Sequence, residues 1–124
     1  MKKLLLLLSI VIGITYSSCK KNTDGPGEVY GKWKIVETLA DPGDGSGKYI
    51  KTKDDLSLVL TKSGKVEGDA MLNTESFKLL DSVSIEFKNS NPAQTISYRY
   101  KVTNNSLWLY PPCIECCGFH YIRK

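Results

Sequence analysis

Residues 83–102 read VSIEFKNSNPAQTISYRYKV, and the alternation in this stretch decides the fold. Val83, Ile85 and Phe87 alternate with Ser84, Glu86 and Lys88. Past Asn89–Pro92, Ile96, Tyr98, Tyr100 and Val102 alternate with Ser97, Arg99 and Lys101. A period of two sends successive side chains to opposite faces, so both runs are strands with one apolar and one wet face. The Asn- and Pro-containing break between them marks a turn.

The same period spreads outward through the chain. Leu56, Leu58 and Leu60 line one face of another strand. Trp33 and Ile35 start a strand after Gly31, and Phe119 and Tyr121 share a face in the last one. No stretch sustains a helical period. Leu72–Leu80 is the one candidate for a short helix, and Phe77-Lys78-Leu79 inside it reads equally well as strand. Turn signals fall at Asp41–Gly47, Lys53–Asp55, Ser63-Gly64 and Asn104-Asn105. Short turns between consecutive strands favour an antiparallel meander, and a meander of this count closes into a barrel that leaves no open edge. The expected fold is all-β: a small, squat, up-and-down barrel of about eight strands.

The chain begins MKKLLLLLSIVIGITYSS, followed by Cys19. Lys2 and Lys3 precede an apolar core from Leu4 to Ile14, and Ser17 and Ser18 precede the cysteine. This is the architecture of a secretory signal peptide. The apolar run is shorter than the roughly 20 residues of a spanning helix. Cys19 after two small residues resembles the lipoprotein signal of bacteria, in which the chain is cut before a lipid-bearing cysteine. Residues 1–18 are then the signal and Cys19 the lipidation site. Residues 19–28, rich in Lys, Asn, Gly and Pro, form a flexible tether. Residues 29–124 form one domain. Two acyl chains or more suffice for stable anchoring to a membrane. Removing the signal takes 17 basic residues to 15 against 13 acidic ones. The resulting net charge of about +2 gives no footprint for nucleic acid.

Gly31-Lys32-Trp33 opens the first strand as G-x-W, and Arg123 nearly ends the last. This pair resembles the lipocalins, and the resemblance implies that Trp33 closes one end of a barrel with Arg123 across its indole. The match is closer to short lipocalin-like lipoproteins of Bacteroidetes-type bacteria. It rests on Gly31–Glu37, on the loop Asp41–Gly47, and on Pro111–Gly118. The middle of the domain is matched only in pattern. The resemblance pairs Cys113 with Cys117 as a disulfide and leaves Cys116, which stands at a glycine position, as an extra thiol.

Cys113, Cys116, Cys117 and His120 also have the donor types of a zinc site. All four fall within eight residues, with one adjacent pair and no distant second half. An oxidising envelope favours a disulfide, so no metal and no cofactor is expected. His120 alternates with Phe119 and Tyr121 and faces outward, and no nucleophile motif surrounds it, so no catalytic residue is assigned. Asp41, Asp44 and Ser46 offer oxygens in a glycine-rich loop, but the spacing is not that of a calcium loop.

The remaining candidates lie inside the barrel. Trp33, Ile35, Leu58, Ile85, Phe87, Tyr98 and Tyr100 are the expected walls of a ligand site. Glu37 shares their parity, which leaves three readings: a bulge turns it outward, Arg99 or Arg123 pairs with it, or it anchors a ligand. The functional expectation is a non-enzymatic lipoprotein, anchored at the outer membrane facing the periplasm and binding a small apolar ligand. The rival is a protein-interaction module, an inhibitor or assembly factor, with a filled barrel.

Overall fold

The computed structural model describes residues 28–114 and 117–124. The signal, Cys19, most of the tether and Cys116 lie outside the described residues. Nine strand segments follow one another: β1 (Gly31–Ala40), β2 (Lys48–Lys51), β3 (Ser57–Leu60), β4 (Val66–Gly68), β5 (Thr74–Leu79), β6 (Ser84–Ser90), β7 (Ala93–Val102), β8 (Ser106–Tyr110) and β9 (Cys117–Arg123). No helix occurs among the described residues. The stretch considered for a short helix, Leu72–Leu80, contains β5 instead. Its Phe77 packs inward opposite Phe87 of β6, so burial on a pleated face outweighs any local helical preference.

All pairings are antiparallel, in the order β4-β3-β1-β9-β8-β7-β6-β5. Consecutive strands pair except β2 with β3 and β4 with β5, and β1 pairs β9, so the meander turns back on itself. At the seam between β4 and β5 a single bridge joins Lys65 to Ser76. The Phe77 N–H also donates to the Gly64 carbonyl at 2.8 Å. The result is an eight-stranded antiparallel barrel, nearly closed.

β2 and β3 lie end to end along β1, opposite Glu37–Ala40 and Gly31–Lys34. Lys53–Asp55 is therefore no reversal, contrary to its turn composition. It is a break within one stave. The Thr52 N–H donates to the Val36 carbonyl, and the Leu56 carbonyl accepts from Ile35, so both ends of the break stay tied to β1. Ser63-Gly64 does form a tight turn, with Gly64 at φ +87°, where a side chain would be strained.

The interior is filled at one end. Trp33, Leu58, Leu60, Ile85 and Leu107 are buried there. Each large apolar side chain buried in this way stabilises by roughly 1.5–3 kcal/mol relative to exposure. This end gathers the start of β1, the end of β9 and the turns β3–β4, β5–β6 and β7–β8. The other end gathers loop 41–47, loop 69–73, the β6–β7 turn and the connection that leaves β8 at Pro111.

Candidate functional site

The filled end is plugged by Trp33 and Arg123. The indole is fully buried, and its Nε1–H donates to the Val29 carbonyl at 2.8 Å. The guanidinium carbon of Arg123 lies 4.1 Å from the centre of the Trp33 ring. Its Nε donates to the Asn104 carbonyl at 2.8 Å, Nη1 to Tyr30 at 3.0 Å and Nη2 to Glu28 at 2.7 Å. One planar cation thus ties the β7–β8 turn to the approach to β1 while stacking on the indole. Gly31 is required beside it. A Cβ there would stand 2.8 Å from Arg123 Nη1, and φ is +130°.

The opposite end is open. A cavity of about 240 Å³ enters the barrel there, with Met71, Phe87, Ile96, Tyr98, Phe119 and Tyr121 in its wall. Phe87 and Tyr98 meet edge to face with ring centres 5.1 Å apart. At the rim the Thr74 hydroxyl donates to Asn89 Oδ1 at 2.8 Å. Burial raises the pKa of Tyr98 and Tyr121 above the usual phenol value, and for Tyr121 the neighbouring Tyr98 adds to this. Both phenols therefore stay protonated at neutral pH. Neither hydroxyl bonds to another described residue, and neither is a buried polar atom left unsatisfied.

The expected wall residues divide. Phe87 and Tyr98 line this cavity. Trp33, Ile35, Leu58 and Ile85 do not; they are core, because the closed half of so small a barrel is filled by its own side chains. Tyr100 is also in the core. Its hydroxyl donates to the Asp81 carbonyl at 3.1 Å, and it borders a groove that crosses to the outside. Met71, Ile96, Phe119 and Tyr121 were not among the expected wall residues. Parity signals the last three; Met71 lies in a loop and carries no periodic signal.

Glu37 points outward, which corrects its place among the interior candidates. In the β1–β9 ladder Ile35 faces Tyr121 but Glu37 faces His120, so Val36 is an extra residue. This bulge reverses the parity of everything after it. Glu37 Oε2 lies 2.8 Å from His120 Nδ1, and His120 Nε2 lies 3.1 Å from Ser106 Oγ. The imidazole stacks flat on Trp108, ring centres 4.6 Å apart, and Lys101 Nζ lies 5.5 Å from the centre of the same Trp108 ring. Neither arginine is the partner of Glu37. The sequence reading missed this cluster because Ser106, His120 and Glu37 come from three strands.

The order Ser106–His120–Glu37 has the connectivity of a nucleophile, base and orienting carboxylate. Glu37 and His120 border an outer pocket of about 430 Å³, but Ser106 is not in its lining. The Ser106 amide, which a nucleophile's oxyanion would use, donates to Thr103 Oγ1 at 3.2 Å. The cluster braces three strands across their wet face.

Cys113 and Cys117 are joined by a disulfide beside the open end. His120, engaged by Glu37 and Ser106, is not a partner to these sulfurs. Among the described residues no group of three or more His, Cys, Asp or Glu could hold a metal ion. Loop 41–47 wraps the carboxylate of Asp41, which accepts the amides of Gly43, Gly45 and Gly47 at 2.8, 3.1 and 3.0 Å. These bonds, Gly43 first, hold the Asp41 acid below the usual carboxylate value. The loop's oxygens are thus turned to its own backbone.

Compared with protein-family models, with curated proteins and with solved structures, the chain shows no significant match.

Proposed function

We propose that this chain is a lipid-anchored, non-enzymatic lipoprotein of a bacterial envelope that holds a small, largely apolar ligand in the open end of its barrel. The anchor is Cys19, and the seat is the outer membrane facing the periplasm. The observation that carries the ligand reading is the cavity of about 240 Å³ walled by Phe87, Ile96, Tyr98, Phe119 and Tyr121. Drug-sized ligands occupy roughly 300–1,000 Å³, whereas an enclosed void of about 150 Å³ takes up benzene. The ligand is accordingly of one or two rings, or a short chain.

Native mass spectrometry of the protein from its own membrane tests both parts. The expected mass includes acyl chains on Cys19, one disulfide and a co-purifying small molecule, and Ile96→Trp, which fills the mouth, loses that molecule. Retention of the same molecule by Ile96→Trp excludes the mouth as its site. Cys19→Ala is expected in the soluble fraction; if it stays processed and membrane-bound, the anchor is elsewhere.

One observation favours the rival interaction module. A groove of about 910 Å³ crosses the surface past Val83, Arg99, Lys101, Tyr110 and Pro111. Its two cations and apolar floor suit an acidic segment of a partner protein. Charge reversal at Arg99 and Lys101 together would abolish such an association and leave the mouth untouched.

A further inference from the structure

The open end contains two phenol hydroxyls that its fold does not use. Tyr121 is buried and Tyr98 beside it half-buried; both rings line the cavity, and neither hydroxyl bonds to another described side chain or backbone group. No buried polar side-chain atom is left without a partner, so these two donors are open to whatever occupies the cavity, and an occupant that accepts from them gains over one that cannot. The other buried tyrosine among the described residues, Tyr100, is held by the fold itself: its hydroxyl donates to the Asp81 carbonyl. The rest of the wall is apolar, apart from Thr74 and Asn89, which bond to each other at the rim. No Lys, Arg or His lines the cavity to neutralise an anion, and no Asp or Glu to neutralise a cation.

From this placement we infer that the mouth selects an uncharged ligand with an apolar ring or short chain at one end and a hydrogen-bond acceptor, such as a ketone, ester or ether oxygen, at the other. The inference rests on the reading of the open end as a ligand site. The acceptor enters first and meets Tyr98 and Tyr121. The apolar part remains between Phe87, Ile96 and Phe119. A carboxylate with the same skeleton is rejected, because it would lose its hydration without a counter-charge. A pure hydrocarbon leaves both hydroxyls unmet and gains only its area.

Three probes of one skeleton separate these terms: indane, 1-indanone and indane-1-carboxylate. Each is titrated into the full-length protein in lipid nanodiscs, with binding read from the methyl resonances of Ile96 and Met71. Comparing variants with one probe at a time cancels its partition into lipid. Tyr98→Phe and Tyr121→Phe are each expected to weaken 1-indanone about threefold to tenfold, the range of one hydrogen bond. Indane should change less than twofold in either variant, and the carboxylate should bind at least about tenfold more weakly than the ketone. Equal losses for indane and indanone, or a carboxylate as tight as the ketone, would overturn the inference and leave an unselective apolar site. If no probe shifts Ile96 or Met71 at all, the open end is not a ligand site and both readings fall.

Discussion

The two ends of this barrel are made from the same alternating strands and serve opposite purposes. At the closed end Trp33, Leu58, Leu60 and Leu107 leave no room, and Arg123 seals them with three hydrogen bonds to backbone carbonyls. At the open end Phe87, Tyr98, Phe119 and Tyr121 line space, and two hydroxyls bond to no other described residue. The difference comes from strand length. β7 runs ten residues while its neighbour β8 runs five, so the Ala93–Tyr98 part of β7 has β6 on one side and no strand partner on the other. Stability is concentrated where the staves are evenly matched, and space appears where they are not.

The contrast can be broken most severely at the plug. Trp33→Ala should destabilise the fold by about 3–5 kcal/mol in urea unfolding, whereas Ile96→Ala at the half-buried mouth should cost under about 1.5 kcal/mol. Equal losses would mean that the mouth is as much core as the plug. Reducing the Cys113–Cys117 bond removes a very short loop constraint, worth about 2 kcal/mol at most by chain entropy. Amide exchange should rise around the open end and stay slow in β1 and β3; a uniform rise would show that the bond holds the whole barrel.

Arg123→Ala should cost about 1–2 kcal/mol through lost stacking on the indole and lost packing of its stem. In a double-mutant cycle it should couple with Trp33→Ala, since contacting residues are not additive. Arg123→Lys should not restore the loss, because an ammonium lacks the planar fork. Strict additivity would remove the plug as a unit. The smallest effect is local and depends on pH. The Asp41 acid is depressed in the folded state, so the ordering it gives loop 41–47 is present above the ordinary carboxylate value and is lost as pH falls through the depressed folded one. The amide signals of Gly43, Gly45 and Gly47 should move together in that acid range and stay still in Asp41→Asn. Movement of the three at separate pH values would mean that Asp41 does not organise the loop.

Much of the barrel was legible. The runs around Ile85 and Tyr98 appear as β6 and β7, and Ser63-Gly64 and Asn104-Asn105 sit in turns. Burial on one face of a strand imposes a period of two, and that period survives in a single sequence. The break at Lys53–Asp55 was misleading, because turn residues mark a departure from strand geometry without saying whether the chain reverses. Glu37 carried a usable warning. A carboxylate with inward parity conflicts with the cost of burying a charge, and a bulge at Val36 resolves it. Phe87 and Tyr98 were identifiable as wall residues by their parity, but so were Trp33 and Leu58, which line no cavity.

The sequence by itself determined the alternation, the places where the chain turns, and the residues that must be sheltered from water, because each depends on neighbours two to four positions away. Only the tertiary structure decided which sheltered residues face space and which face one another. It alone also brought Glu37, His120 and Ser106 together, and Trp33 under Arg123. Those outcomes depend on register between strands distant in sequence. One inserted residue in β1 changes which side of the wall every later side chain occupies.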